Sequence, residues 1–87
     1  MNIGQVVFAK AGRDKGNAFI IVNLQDEYLY LVDGKRRTLD KPKRKKAKHV
    51  QPVNYIANVI IMDGRALQDA DIRKELKAFA TRPSQIS

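Results

Sequence analysis

The chain has 87 residues, no cysteine, and a net charge of +8 from 17 Lys and Arg against 9 Asp and Glu. Its length suffices for one small domain, and 44% hydrophobic residues are too many for a disordered basic tail. The lack of cysteine excludes disulfides and thiolate metal sites, and no apolar run approaches the roughly 20 residues that cross a bilayer. We therefore expect a folded, soluble, cytoplasmic domain with a basic surface, without membrane attachment, cofactor, metal or small-molecule substrate.

The first two predicted strands flank a basic loop that contains two glycines. Residues 4–10 and 17–24 are rich in branched and aromatic side chains, which favour β-strands. Gly12 and Gly16 bracket the polar segment between them and suit backbone positions with positive φ. The pattern predicts a strand, a tight loop and a second strand.

The third predicted strand covers residues 27–32 and alternates with a period of two. This alternation places Tyr28 and Tyr30, together with Val32, on one face, and Leu29 and Leu31 on the other. Both faces of the strand therefore carry side chains that can pack. The tyrosines could stack on unpaired bases, although packing is the commoner role of an aromatic side chain on a strand of a small barrel.

The Asp-Gly pair at 33–34 predicts a type I′ hairpin turn, because that turn needs positive φ at both central residues. Residues 35–39 are then expected to return as the fourth strand, followed by a charged loop over 40–47 and a last short strand over 48–50. Several short strands joined by tight turns predict a small antiparallel barrel of about five strands. The expected fold class is mainly β.

The C-terminal part is expected to be helical. Asn54 could cap a short helix that reaches residue 62, and we favour helix slightly, although the β-branched cluster there suits a strand equally. Ile72, Leu76 and Phe79 recur at i, i+4 and i+7 and predict an amphipathic helix. The expected organisation is a barrel over residues 1–53, a helical extension packed on it over 54–82, and a frayed tail over 83–87.

Positive charge is concentrated in residues 35–48, which hold nine Lys and Arg against the single acid Asp40. Like charges at this density repel one another unless a partner neutralises them, which points to a polyanion. A Lys or Arg that neutralises a phosphate also releases condensed counterions, so nucleic acid is the leading candidate partner. A solvated charged loop is the alternative.

Residues 4–23, GQVVFAKAGRDKGNAFIIVN, resemble the KOW motif, in which a strand, a glycine-bearing basic loop and a second strand open an SH3-like barrel. Residues 28–54 are similar to the KOW-containing large-subunit ribosomal proteins of archaea and eukaryotes and to their small bacterial RNA-binding relatives, and DADIRKEL at 69–76 is similar to the tail of the bacterial relatives. The resemblance implies an SH3-like (KOW) barrel that binds ribosomal or other structured RNA and acts on the ribosome, in its assembly or in translation.

By that resemblance, the loop of residues 10–16 meets RNA, and the region 35–49 lines an adjacent basic face. The candidate RNA-binding residues are Lys10, Arg13, Lys15, Gly16, Lys35, Arg36, Arg37, Lys41, Lys43, Arg44, Lys45, Lys46, Lys48 and His49. Together they are expected to form one continuous cationic face.

Two other functional classes stay open at this point. A protein-interaction adaptor of the SH3-like type would need an exposed apolar groove, for which the tyrosines are the only candidates. A DNA-binding or nucleoid-associated protein would show much the same charge distribution. We expect no enzymatic activity, because the only serines are Ser84 and Ser87, in the expected tail, and the single histidine is more typical of a strand surface than of a catalytic base or metal ligand.

Overall fold

The computed structural model describes residues 1–57 and 66–82. The described residues form five strands, one 3₁₀ turn and one helix: β1 (Gln5–Ala9), β2 (Ala18–Gln25), β3 (Tyr28–Val32), β4 (Lys43–Lys46), the 3₁₀ turn (Ala47–His49), β5 (Val50–Ile56) and α1 (Asp69–Ala80). The strands make one antiparallel sheet in the order β4-β3-β2-β1-β5. The prediction of a mainly β fold with five antiparallel strands and a C-terminal helix is confirmed.

The sheet is curled, because its two outermost strands follow each other in the chain. Strands β4 and β5 lie at opposite ends of the strand order, yet only the 3₁₀ turn Ala47–His49 connects them. Five flat strands would place the outer two roughly 19 Å apart, whereas three residues of 3₁₀ helix advance only about 6 Å. The sheet must therefore bend into a barrel-like shape.

Two hydrophobic clusters lie on opposite faces of this sheet. Neighbouring residues of one strand, such as Val6 and Val7, belong to different clusters, as the alternation of side chains along a strand requires. The inner cluster contains Val7, Ala9, Phe19, Ile21, Leu29, Leu31 and Val50. The outer cluster lies between the sheet and α1 and contains Val6, Ile20, Val32, Ala57, Ile72 and Phe79. The sheet is thus packed on both faces.

Helix α1 packs on the sheet through the predicted stripe. Ile72 and Phe79 are buried, and Leu76 is half-buried against the same outer cluster. The first turn carries two acids, which interact favourably with the positive end of the helix dipole, and Asp71 Oδ2 accepts a hydrogen bond from the Gln68 backbone N–H at 2.9 Å. The prediction of an amphipathic helix over this segment is confirmed.

The predicted fourth strand over 35–39 is wrong. Asp33 has no positive φ, so the type I′ turn does not form, and its Oδ1 instead accepts backbone N–H bonds from Lys35 at 2.8 Å and Arg37 at 2.9 Å. The chain then turns towards α1, where the Leu39 N–H donates to Asp69 Oδ1 at 2.8 Å. A local side-chain bond thus competes successfully with strand pairing.

The fourth strand is instead β4, formed by the lysine-rich residues 43–46 that were predicted as loop. Their backbone pairs with β3, from Leu31 opposite Lys43 to Tyr28 opposite Lys46. Long charged side chains are common on an edge strand, where they discourage further pairing. The strand predicted at 48–50 is also displaced, because residues 47–49 form the 3₁₀ turn and β5 begins at Val50.

Strand β5 continues to Ile56 and replaces the first part of the helix favoured for residues 54–62. Its backbone runs beside β1 and passes through Pro52, which an edge strand tolerates because one side of its ladder is unpaired. Val53 and Tyr55 pack against the outer cluster, as alternating strand residues do.

Residues 58–62 and the tail at 83–87 lie outside the described residues. None of the helical segments in 1–57 and 66–82 has the length and apolar content that a bilayer crossing needs.

Candidate nucleic-acid interface

The loop between β1 and β2, residues 10–17, is held by several backbone hydrogen bonds. The Gly16 N–H donates to Ala9 O at 2.9 Å, and the Asn17 N–H donates to Asp14 O at 2.9 Å. At the start of the loop, the Lys10 N–H donates to His49 O at 2.9 Å, which ties the loop to the 3₁₀ turn. The loop therefore presents its side chains from a defined backbone.

The three cations of this loop, Lys10, Arg13 and Lys15, are all exposed. Gly16 follows them with φ +85°, and no atom lies within 4 Å of where its Cβ would stand. The space beside the backbone of Gly16 is therefore open. The predicted basic loop is present and accessible.

Strand β4 meets the loop through Lys45, whose Nζ donates to Ala11 O at 2.9 Å. Lys45 stands opposite Leu29, and Lys43 opposite Leu31, so both lysines extend from the inner-cluster face of the sheet. Tertiary structure thereby joins two segments that are about 30 residues apart in sequence. We call Lys10, Arg13, Lys15, Lys43 and Lys45 the basic surface.

Arg44 and Lys46 extend from the opposite face, because side chains alternate along β4. The Arg44 guanidinium lies 4.4 Å from the centre of the Tyr28 ring, and Lys46 Nζ lies 3.6 Å from Glu27 Oε1. The four cations of β4 therefore lie on two faces of the sheet. In a flexible loop, all four could have met in one patch. Tyr28 and Tyr30 are half-buried, and Arg44 covers one of them.

Arg37 is engaged within the protein. Its Nη2 lies 3.3 Å from Oδ2 of Asp14, whose side chain is only 9% exposed, and its Nε is buried without a hydrogen-bond partner among the described residues. Leaving a buried carboxylate without a partner is costly, so this contact supports the loop. The structure thus gives Arg37, a predicted RNA contact, a role in holding the β1–β2 loop.

We expect Arg37→Gln to lower the free energy of unfolding by about 1–3 kcal/mol, because a hydrogen bond to a charged group is lost and Asp14 stays buried. Arg36→Gln removes the same charge from an exposed neighbour and should leave stability within about 0.5 kcal/mol. Urea denaturation monitored by circular dichroism measures both. Equal stabilities of the two variants would contradict the supporting role of Arg37.

The remaining predicted site residues, four cations and His49, occupy exposed positions around these elements. Lys35 and Arg36 lie on the loop after β3, Lys41 lies before β4, and Lys48 and His49 lie on the 3₁₀ turn. The pKa of Asp40 is held below its usual value, mainly because the Thr38 hydroxyl donates to its carboxylate. Asp40 therefore stays ionised at neutral pH and offsets one of the charges beside it.

Sequence reasoning missed two cations of α1, Arg73 and Lys77. They line one surface cleft together with Lys35 and Arg36. Their i, i+4 spacing beside the apolar stripe was a usable signal, because it places both on one flank of the helix. Which loop that flank meets depends on the tertiary structure.

Residues 1–57 and 66–82 contain no group of three or more His, Cys, Asp or Glu side chains arranged to hold a metal ion. Comparison with known proteins adds no assignment: no protein-family model and no curated protein matches the chain.

Proposed function

We propose that the protein binds RNA through the phosphate backbone, with the β1–β2 loop at the centre of the interface. The observation that carries the proposal is the contact of Lys45 Nζ with Ala11 O, which joins the inner-cluster face of β4, with Lys43 and Lys45, to the loop that carries Lys10, Arg13 and Lys15. We propose RNA binding alone, without catalysis of a reaction.

The arrangement suits recognition that tolerates different sequences. Lys side chains act as point charges towards phosphates, and an Arg such as Arg13 can donate two parallel hydrogen bonds to one phosphate. The major groove of A-form RNA is too deep and narrow for side chains to read, so phosphates and 2′-hydroxyls dominate the recognition of helical RNA. The similarity of residues 4–23 and 28–54 to KOW ribosomal proteins supports a setting on the ribosome, in its assembly or in translation, within the cytoplasm.

The proposal is tested by fluorescence anisotropy of a labelled RNA hairpin at several salt concentrations. We expect the logarithm of the association constant to fall steeply with the logarithm of salt concentration, because counterions are released on binding. The double variant Arg13→Gln, Lys15→Gln should reduce the slope by roughly 1.5 units, about 0.7–0.9 for each lost contact.

Lys74→Glu is the matched control, because it lowers the net charge by two, as the double variant does. Lys74 is exposed on α1, and it does not line the cleft beside Lys77. We expect it to change the slope much less than the double variant does. If Lys74→Glu reduced the salt slope as much as the double variant does, the net charge of the protein, and not the loop, would drive binding.

Two further outcomes would overturn the proposal itself. A wild-type protein that binds no hairpin near physiological salt would show that the charge is only a solvated surface. Duplex DNA that competes better than an RNA duplex of equal length would favour the DNA-binding alternative.

A further inference from the structure

A cleft of about 640 Å³ lies between α1 and the loop that follows β3. It is lined by Asn17, Ala18, Asp33, Lys35, Arg36, Arg73, Leu76 and Lys77. These residues come from three separate segments: the end of the β1–β2 loop with the first residue of β2, the strand end and loop after β3, and one flank of α1. The cleft is therefore a product of the tertiary structure.

The rim of the cleft carries four cations, Lys35, Arg36, Arg73 and Lys77, against the single acid Asp33. No ion pair joins any of these four to a carboxylate of the described residues. Oδ1 of Asp33 is occupied by two backbone N–H groups of its own loop. Among the described residues that line the cleft, four cations thus face one carboxylate, and a concave cationic surface attracts anions strongly.

One of the four cations is already oriented by the fold. Arg73 Nη1 donates to Gly34 O at 2.6 Å, which anchors the guanidinium beside the loop. A guanidinium has five N–H donors, so most of them stay available to a ligand. An anchored Arg loses less side-chain entropy when it binds, and a planar guanidinium suits the oxygens of a phosphate.

We propose that this cleft binds a backbone phosphate of the RNA, so that α1 is part of the interface; the inference rests on the proposed function. Arg73 donates hydrogen bonds to the phosphate, while Lys35, Arg36 and Lys77 supply charge. Ala18 and Leu76 form an apolar part of the wall, against which a sugar can lie.

RNA is the ligand because the cleft adjoins the β1–β2 loop. Asn17, the last residue of that loop, lines the cleft. Arg37, next to the cleft residue Arg36, binds Asp14 inside the same loop. The cleft therefore adjoins the loop, and an RNA that binds the loop has the cleft as its neighbour.

The test compares Lys77→Gln with Lys74→Gln, two exposed lysines of α1 that differ in whether they line the cleft. The labelled hairpin is titrated with each variant over a range of salt concentrations. We expect Lys77→Gln to reduce the salt slope by about 0.7–0.9 units and the affinity at 0.1 M salt by about fivefold to tenfold. Lys74→Gln should stay close to the wild type, and the melting temperatures of both variants should match it.

Nuclear magnetic resonance on the wild type gives an independent readout with the same hairpin. Addition of RNA should shift the backbone amide signals of Gly34 and Lys77 more than that of Lys74. If the wild type binds RNA but either Lys77→Gln behaves as Lys74→Gln or these signals do not move, the cleft is not part of the interface and the proposed function stands. If the wild type binds no RNA, the proposed function fails, and the cleft proposal fails with it.

Discussion

Gly34→Ala is expected to lower the free energy of unfolding by about 2–5 kcal/mol. Gly34 has φ +79°, a conformation that costs an L-residue about 1–2 kcal/mol. A Cβ there would stand 2.6 Å from Asp69 O and 2.7 Å from Arg73 Cγ, so the loop and α1 would have to separate. Such overpacking typically costs a further 1–3 kcal/mol.

Gly16→Ala is the matched control for this substitution. Its φ of +85° is nearly the same, but no atom lies within 4 Å of the Cβ position. It should therefore show only the conformational cost, about 1–2 kcal/mol. Urea denaturation monitored by circular dichroism gives both values. Equal losses would mean that the loop and α1 can separate at no cost to accommodate the added Cβ of Gly34→Ala.

Phe79→Ala is expected to lower the free energy of unfolding by about 3–5 kcal/mol. The Phe79 ring is buried in the outer cluster, with its centre 6.0 Å from that of Phe8 and 5.1 Å from that of Tyr55. The Arg82 guanidinium lies over the ring, 4.0 Å from its centre. Truncation would remove these contacts and leave a cavity between α1 and the sheet.

The loss is large for a domain whose total stability is about 5–15 kcal/mol, and it should lower the melting temperature by more than about 12 °C. Phe79→Leu separates burial from ring contacts, because it keeps most of the apolar volume and should cost roughly half as much. If Phe79→Ala loses less than about 1 kcal/mol, α1 is not part of the cooperative folding unit.

The first three strands and the stripe of α1 could be predicted because their signals are local. Alternation over a few residues decides which side chains of β3 face each way, and the i, i+4, i+7 spacing of Ile72, Leu76 and Phe79 decides the buried flank of the helix. These patterns need no knowledge of the rest of the chain, and the structure agrees with them.

Strand β4 could not be predicted in the same way. Four consecutive cations have neither apolar alternation nor high β-propensity, so the sequence alone favours a loop. The edge of β3 supplies the pairing partner, and that edge exists only after the sheet has formed. The type I′ turn predicted from the Asp-Gly pair was wrong for a similar reason. The Asp33 side chain and the close approach of α1 stabilise a different turn, and the position of α1 is not a local property of the sequence.

For the candidate site as well, the sequence predicted the features that depend on local patterns and missed those that depend on tertiary contacts. Sequence identified a concentration of positive charge and the β1–β2 loop, but it could not separate Arg37, which binds Asp14, from the exposed Arg36 beside it. Nor could it bring Arg73 and Lys77 to the cleft, since they lie about 40 residues from the loop they face.

By itself, the sequence determined the fold class, the buried stripe of α1, and the basic character of the surface, because composition and local periodicity set all three. Only the tertiary structure decided which cations are exposed, which support a loop, and which share a cleft. The reason is that these roles depend on contacts between distant segments, such as Lys45 with Ala11 and Arg73 with Gly34. No local pattern encodes such contacts.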